Sequence, residues 1–144
     1  MNIASLLATK GSTVVTIHPD QTVRQALQLL ARHNIGAVVA VDERGKPVGI
    51  LSERDIVREG ARNEGVFGLP VGSIMTRDVI IGVPQDDLPS ARHTMTEKRI
   101  RHLPVMDGGK LVGIISIGDI VKAQRDQYQG EVETLQTQLL DKQA

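Results

Sequence analysis

Two short stretches join a hydroxyl to a carboxylate at fixed spacing: Ser52-Glu53-Arg54-Asp55 and Ser116-Ile117-Gly118-Asp119. Each follows a Gly-Ile-aliphatic run, Val48-Gly49-Ile50-Leu51 and Val112-Gly113-Ile114-Ile115, and each continues into Ile-Val, so a ten-residue stretch returns at an offset of 64 with seven positions identical. A serine where a helix opens, with an acid three residues on, caps the unpaired N–H groups of the first turn. Such capping is a sufficient account of either stretch alone. A helix N-terminus also attracts phosphate through its free N–H groups and dipole, and a carboxylate accepts two hydrogen bonds from vicinal hydroxyls. The two roles are compatible, and the recurrence behind the same Gly-Ile run favours ligand chemistry.

The cationic candidates complement rather than repeat one another. Arg54 stands where the second copy has Gly118, while Arg101 and His102 stand where the first copy has Gly36 and Ala37. If the copies face each other, both sets address phosphates in a shared cleft, where guanidinium forks suit phosphate oxygens; otherwise they are solvated surface charge. The same departure leaves open whether the copies offer two equal sites or one full and one weak. His93 and Glu97 lie one helical turn apart but lack a third ligand, which makes them a surface pair rather than a metal site.

The elements that position these residues are duplicated as well. Ser5-Leu6-Leu7 and Ser73-Ile74-Met75 read as one-turn helices ahead of the β-branched strands Val14-Val15-Thr16-Ile17 and Val79-Ile80-Ile81, with about three extra residues around Lys10-Gly11-Ser12 in the first copy. Pro19 and Pro84 end those strands. A capping-box spacing at Thr22 to Gln25 and a cap at Asp87 start helices whose apolar positions, Val23, Ala26, Leu27, Leu30 and Leu88, Ala91, Met95, repeat at helical spacing, with Asn34 suited to a left-handed exit. Ile35 to Asp42 and Ile100 to Asp107 read as strands. The turns at Glu43-Arg44-Gly45 and Gly108-Gly109 return them into the Gly-Ile strands as hairpins. Each copy is strand, helix, strand, hairpin, strand, helix, with a linker over Gly60 to Pro70. After Asp119 the last helix runs into a polar tail with Tyr128, Val132, Leu135 and Leu139 at spacings of 4, 3 and 4, a short coiled-coil-like stripe interrupted by Gly130.

A copy of about 60 residues is marginal alone, so the halves are expected to pack on each other. Lysine plus arginine and aspartate plus glutamate both number 17, which disfavours nucleic acid and anionic membranes as partners. With no cysteine there is no disulfide or thiolate metal site. The absence of an export signal and of a long apolar run gives the expectation of a cytoplasmic protein. Phe67 and Tyr128 are the aromatic residues, so aliphatic side chains and backbone must hold any bound base. The chain lacks a Gly-x-x-x-x-Gly-Lys-Ser/Thr loop and an identifiable nucleophile, base and orienter. An enzymatic alternative would recruit Ser52 or Ser116, Asp55 or Asp119, and His102.

Over about residues 5 to 125 the repeated Gly-Ile-aliphatic-Ser-x-x-Asp, with Ile100-Arg101-His102-Leu103-Pro104-Val105 before the second hairpin, resembles tandem cystathionine β-synthase (CBS) domains, a pair called a Bateman module. The resemblance implies an α/β (α+β) fold of two β-α-β-β-α domains, 5–62 and 71–125, packed with pseudo-two-fold symmetry, with a linker at 63–70 and a helical tail at 126–144. It further implies a regulatory, non-catalytic homodimer whose inter-domain clefts bind adenosyl ligands such as AMP, ADP, ATP, NAD(H) or S-adenosylmethionine. Asp55 and Asp119 then hold ribose, with Ser52 and Ser116 near ribose or phosphate. His18, before Pro19, and the segment from Ile35 to Ala37 lie near the base. A dimerising scaffold with degenerate clefts is the alternative.

Overall fold

The computed structural model describes residues 1–11 and 13–143; Ser12 of the expected loop and Ala144 of the expected tail lie outside the described residues. The order is α1 (Ile3–Lys10), β1 (Thr16–Ile17), α2 (Val23–His33), β2 (Ala37–Val41), β3 (Pro47–Ser52), α3 (Glu53–Gly60), two 3₁₀ turns (Val66–Gly68 and Val71–Ser73), α4 (Leu88–Glu97), β4 (His102–Asp107), β5 (Lys110–Ser116) and α5 (Ile117–Gln143). The local signals act as expected. Thr22 and Gln25 form a capping box on α2, which exits through Asn34 at φ 51°, and Asp87 accepts the Ser90 N–H at the start of α4. Both hairpins are antiparallel, with Ala37 opposite Ser52 and His102 opposite Ser116. Each breaks register at the same place, Ala40/Val41 and Val105/Met106. The second turns through Gly108 and Gly109 at φ 57° and 80°, positive angles that match hairpin twist.

The strand expected at Val79-Ile80-Ile81 is absent. In the first copy β1 pairs in parallel with β2, and the Val39 N–H donates to the Val15 carbonyl. The residue equivalent to Val39 is Pro104, which has no N–H to offer Ile80. Pairing therefore shrinks to one bridge at Gly82, whose N–H donates to Pro104 and whose carbonyl accepts from Met106.

The halves do not share one core; they exchange segments between two. One core joins Ile17, Val23, Leu30, Val38 and Leu51 to Val66, Val71 and Met75, so the stretch expected as a linker is packed. The other joins Leu88, Met95, Leu103, Val105 and Ile115 to Ile3, Leu6 and Leu7 of α1. Backbone bonds mirror the exchange: Gly72 donates to Pro19 and Val71 to Gln21, while Ala4 donates to Pro84 and Ile3 to Asp86. α1 is longer than the expected single turn, eight residues capped by Asn2. Both exchanged segments end on a glycine of the Gly-Ile strands. A Cβ at Gly113 would sit 2.7 Å from Leu7 Cδ2, and one at Gly49 would collide with the Met75 thioether.

α5 continues unbroken past Gly130, leaving Tyr128, Leu135 and Leu139 exposed. Gly49→Ala and Gly113→Ala are expected to destabilise the fold by about 1–3 kcal/mol each through overpacking, read from the urea midpoint at constant slope. Gly45→Ala, where a Cβ meets open space but φ is 77°, tests backbone strain alone.

Candidate functional site

The two hairpins end side by side. The Glu53 N–H donates to Gly36 O at 3.0 Å and the Ile117 N–H donates to Arg101 O at 2.9 Å, the same bond in each copy. It ties the start of α3 to β2 and the start of α5 to β4. The copies meet at Gly36, where a Cβ would lie 3.3 Å from His102 Nε2 and 3.6 Å from Glu53 Oε1. A side chain at 36 would push His102 away, which gives the glycine opposite it a packing reason.

A cavity of about 240 Å³ opens along this seam, with Ser52, Asp55, Arg58 and Thr76 on one wall and Arg99, Arg101 and His102 on the other. Through Arg54 and Arg101 it continues into a wider groove of about 780 Å³ that reaches Ser116 and Gly118. Residues from both copies therefore line one cleft, of a size suited to a small ligand. Arg54, Arg58, Arg99 and Arg101 form no ion pair among the described residues. Arg99 holds φ 55° at the position of Asn34, an unusual conformation for a long side chain.

At the first copy, Asp55 Oδ2 accepts the Ser52 N–H at 2.9 Å and the Ser52 hydroxyl at 3.1 Å, while Ser52 Oγ accepts the Asp55 N–H. This reciprocal cap leaves Asp55 Oδ1 without a partner among the described residues. At the second copy, Asp119 Oδ2 accepts the Ser116 N–H at 2.8 Å, but its second bond comes from Lys10 Nζ at 2.5 Å. Burial raises the Asp119 pKa, yet the Lys10 hydrogen bond and charge and the Ser116 N–H outweigh that and hold it below 3.8. Ser116 lines the wide groove, whereas Asp119 opens with Lys10 and Lys122 into a separate groove between α1 and α5.

The sequence grouped His102 with the cations. Burial and the nearby Lys10 charge instead push its pKa below 6.5, so at neutral pH it offers a hydrogen bond without a charge. His18 is not in the cleft. Its Nε2 lies 3.0 Å from Glu43 at the opposite end of the sheet from Ser52, and its Nδ1 accepts the Asp20 N–H. Ala37 is buried at the start of β2, 3% exposed, beside the seam rather than lining the cavity. Sequence reasoning missed Arg58, Arg99, Thr76 and Lys10. Arg58 was signalled by Lys122 at the same offset of 64, and Arg99 by standing where the first copy has asparagine.

Two interlocked α/β repeats meeting across a cationic cleft define a paired-domain module. The chain belongs to the CBS domain family, whose model matches residues 8–62 and 71–126. It is 34% identical over 122 residues to the CBS domain-containing protein YhcV of Bacillus subtilis (strain 168), covering 85% of this chain and 86% of that one. A crystal structure of a CBS-domain containing protein from Agrobacterium tumefaciens is 39% identical, with TM-score 0.83 over 86% of this chain and 99% of that one. Two further structures hold ligands. A CBS domain protein from Pyrobaculum aerophilum complexed with AMP is 30% identical, with TM-score 0.74 over 83% of this chain and 89% of that one. The CBS domain pair of protein MJ0100, in complex with 5′-methylthioadenosine and S-adenosyl-L-methionine, is 28% identical, with TM-score 0.79 over 88% and 98%. Among the described residues no helix is long and apolar enough to cross a membrane.

The depressed His102 pKa has a defined sign in stability. As pH falls below 6.5 the unfolded chain takes up a proton that the folded chain resists, so stability falls until the folded pKa is passed. Urea melts at pH 7.5, 6.5 and 5.5 should show this decline, and His102→Gln should flatten it.

Proposed function

We propose that the cleft binds an adenine nucleotide and that its occupancy is reported through shape or assembly, a regulatory role without catalysis. The observation that carries this reading is the convergence of Arg54, Arg58, Arg99 and Arg101 on one cavity beside Asp55, whose Oδ1 is free. Four guanidinium groups that form no ion pair among the described residues outnumber the carboxylates Glu53 and Asp55 in the same lining and suit phosphate oxygens, and Asp55 suits ribose hydroxyls. Ile50 and Ile100 supply apolar wall for a base. The AMP complex of the Pyrobaculum aerophilum protein supports the nucleotide. The same arginines disfavour S-adenosylmethionine, whose sulfonium adds positive charge next to them, so AMP, ADP, ATP or NAD(H) is the better match.

The ribose and phosphate roles separate by mutation. Asp55→Ala removes hydrogen bonds to a charged acceptor worth about 1.5–3 kcal/mol each, so adenosine and AMP should weaken alike, by roughly tenfold or more. Arg101→Ala should spare adenosine, weaken AMP and weaken ATP most, with wild-type affinity falling as salt rises. Calorimetry well below the melting transition is the measurement, because Asp55 also caps α3 at about 1 kcal/mol. Unchanged binding in a folded Asp55→Ala protein would sink the ribose role, and equal losses for adenosine and ATP in Arg101→Ala would sink the phosphate role. In a thermal-shift panel, a ligand at 100 times its Kd stabilises by about 2.7 kcal/mol; no response to any of these ligands would favour the scaffold.

The module is further proposed to act as a homodimer joined through its domains rather than its tail. Val57 of α3 and Val121 of α5, equivalent in the repeat, are 70% and 42% exposed, and the tail stripe spans barely two heptads. A chain ending at Gln127 should stay dimeric at micromolar concentration by light scattering; a monomer would refute this.

A further inference from the structure

We propose that Lys10 occupies the carboxylate of the second copy's ligand position, so that each chain takes one nucleotide, beside Asp55, and a second only when Lys10 is withdrawn. This rests on the nucleotide reading and concerns what distinguishes the two copies of its site.

In the first copy, Ile50 makes both of its backbone hydrogen bonds with Thr76, N–H to carbonyl each way at 2.9 Å. The exchanged segment that ends on Gly49 through Met75 thus passes into extended chain, and the space beside Asp55 stays open as the 240 Å³ cavity. The second copy begins alike, with Leu7 on Gly113. There the chain does not straighten, because α1 runs on to Lys10 before Gly11 ends it at φ 99°. These added residues carry the Lys10 ammonium to the two acceptors the first copy leaves to a strand and a hydroxyl. It donates to the Ile114 carbonyl at 2.6 Å and to Asp119 Oδ2 at 2.5 Å.

The second-copy carboxylate is thereby neutralised in place. In the first copy the Ser52 hydroxyl donates to Asp55 Oδ2; in the second, Lys10 donates to Asp119 Oδ2, and Ser116 Oγ accepts from the Asp119 N–H. A ribose hydroxyl arriving at Asp119 must compete with a tethered cation rather than with water. The phosphate side is weaker too. The second copy has Gly118 where the first has Arg54, and across the seam it has Asn34 and Gly36 where the first has Arg99 and Arg101. Lys10 is thus the occupancy-determining residue, through a contact that needs no second protein.

Isothermal titration with AMP decides it. The wild-type chain should bind one AMP per chain, Lys10→Met should bind two, the added site weaker than the first, and Lys10→Arg should return to one. Two AMP per wild-type chain, or one per Lys10→Met chain, would overturn the role of Lys10 while leaving the nucleotide reading intact. No AMP bound would overturn the nucleotide reading and this inference with it, whereas stoichiometric binding that survives Asp55→Ala would overturn the placement of the one nucleotide beside Asp55, and so this inference alone. A measurement on the unmutated chain guards against a misfolded variant. Saturating AMP should leave the Lys10 ε-methylene resonances in place, and their displacement with the first equivalent would overturn the proposal.

Discussion

The structure depends on two contacts of side chain on bare backbone, Leu7 on Gly113 and Met75 on Gly49. Each brings a segment from one half of the chain into the other half's core, against a strand that offers no Cβ. Neither half can complete its core alone, so a pair of units too small to be stable separately becomes one cooperative body. The glycine of the Gly-Ile motif therefore has a packing cause that precedes any role in ligand binding.

That interlock sets the cleft. With 69–72 bonded to 19–23 and 1–4 bonded to 84–88, the hairpin ends have little freedom to part, and Gly36 and His102 are pressed together at the seam. The guanidinium groups of Arg54, Arg58, Arg99 and Arg101 then line one cleft in which the carboxylates Glu53 and Asp55 are outnumbered. The excess positive charge favours an anion that fills it. Arg99 adds a backbone conformation of the kind found where local strain serves a site.

Most of this was legible in the sequence because it was written twice. The offset of 64 to 65 exposed the hairpins, the capping serines and the repeated carboxylates, and the capping residues Thr22, Asp87 and Asn34 act locally, within reach of a sequence rule. What stayed hidden depends on contacts far apart in the chain. The missing second strand follows from Pro104 lacking an N–H for a partner 24 residues upstream. Ser5-Leu6-Leu7 and Ser73-Ile74-Met75 stand out as a repeat, but which core each of them enters leaves no trace in the sequence. His18 was drawn toward the base by its place before Pro19, whereas sheet geometry sends it to Glu43. His102 was counted as a charge because a sequence carries no burial.

α5 starts inside the cleft at Ile117 and ends at Gln143 without interruption. At 1.5 Å per residue it spans about 40 Å, and Tyr128, Leu135, Leu139 and Leu140 of its outer half are exposed among the described residues. A rod anchored at one end behaves as a lever arm: a tilt of about 5° at its root sweeps its tip through roughly 3.5 Å. A movement of that size is enough to bring Leu135 and Leu139 into or out of register with whatever lies beside them.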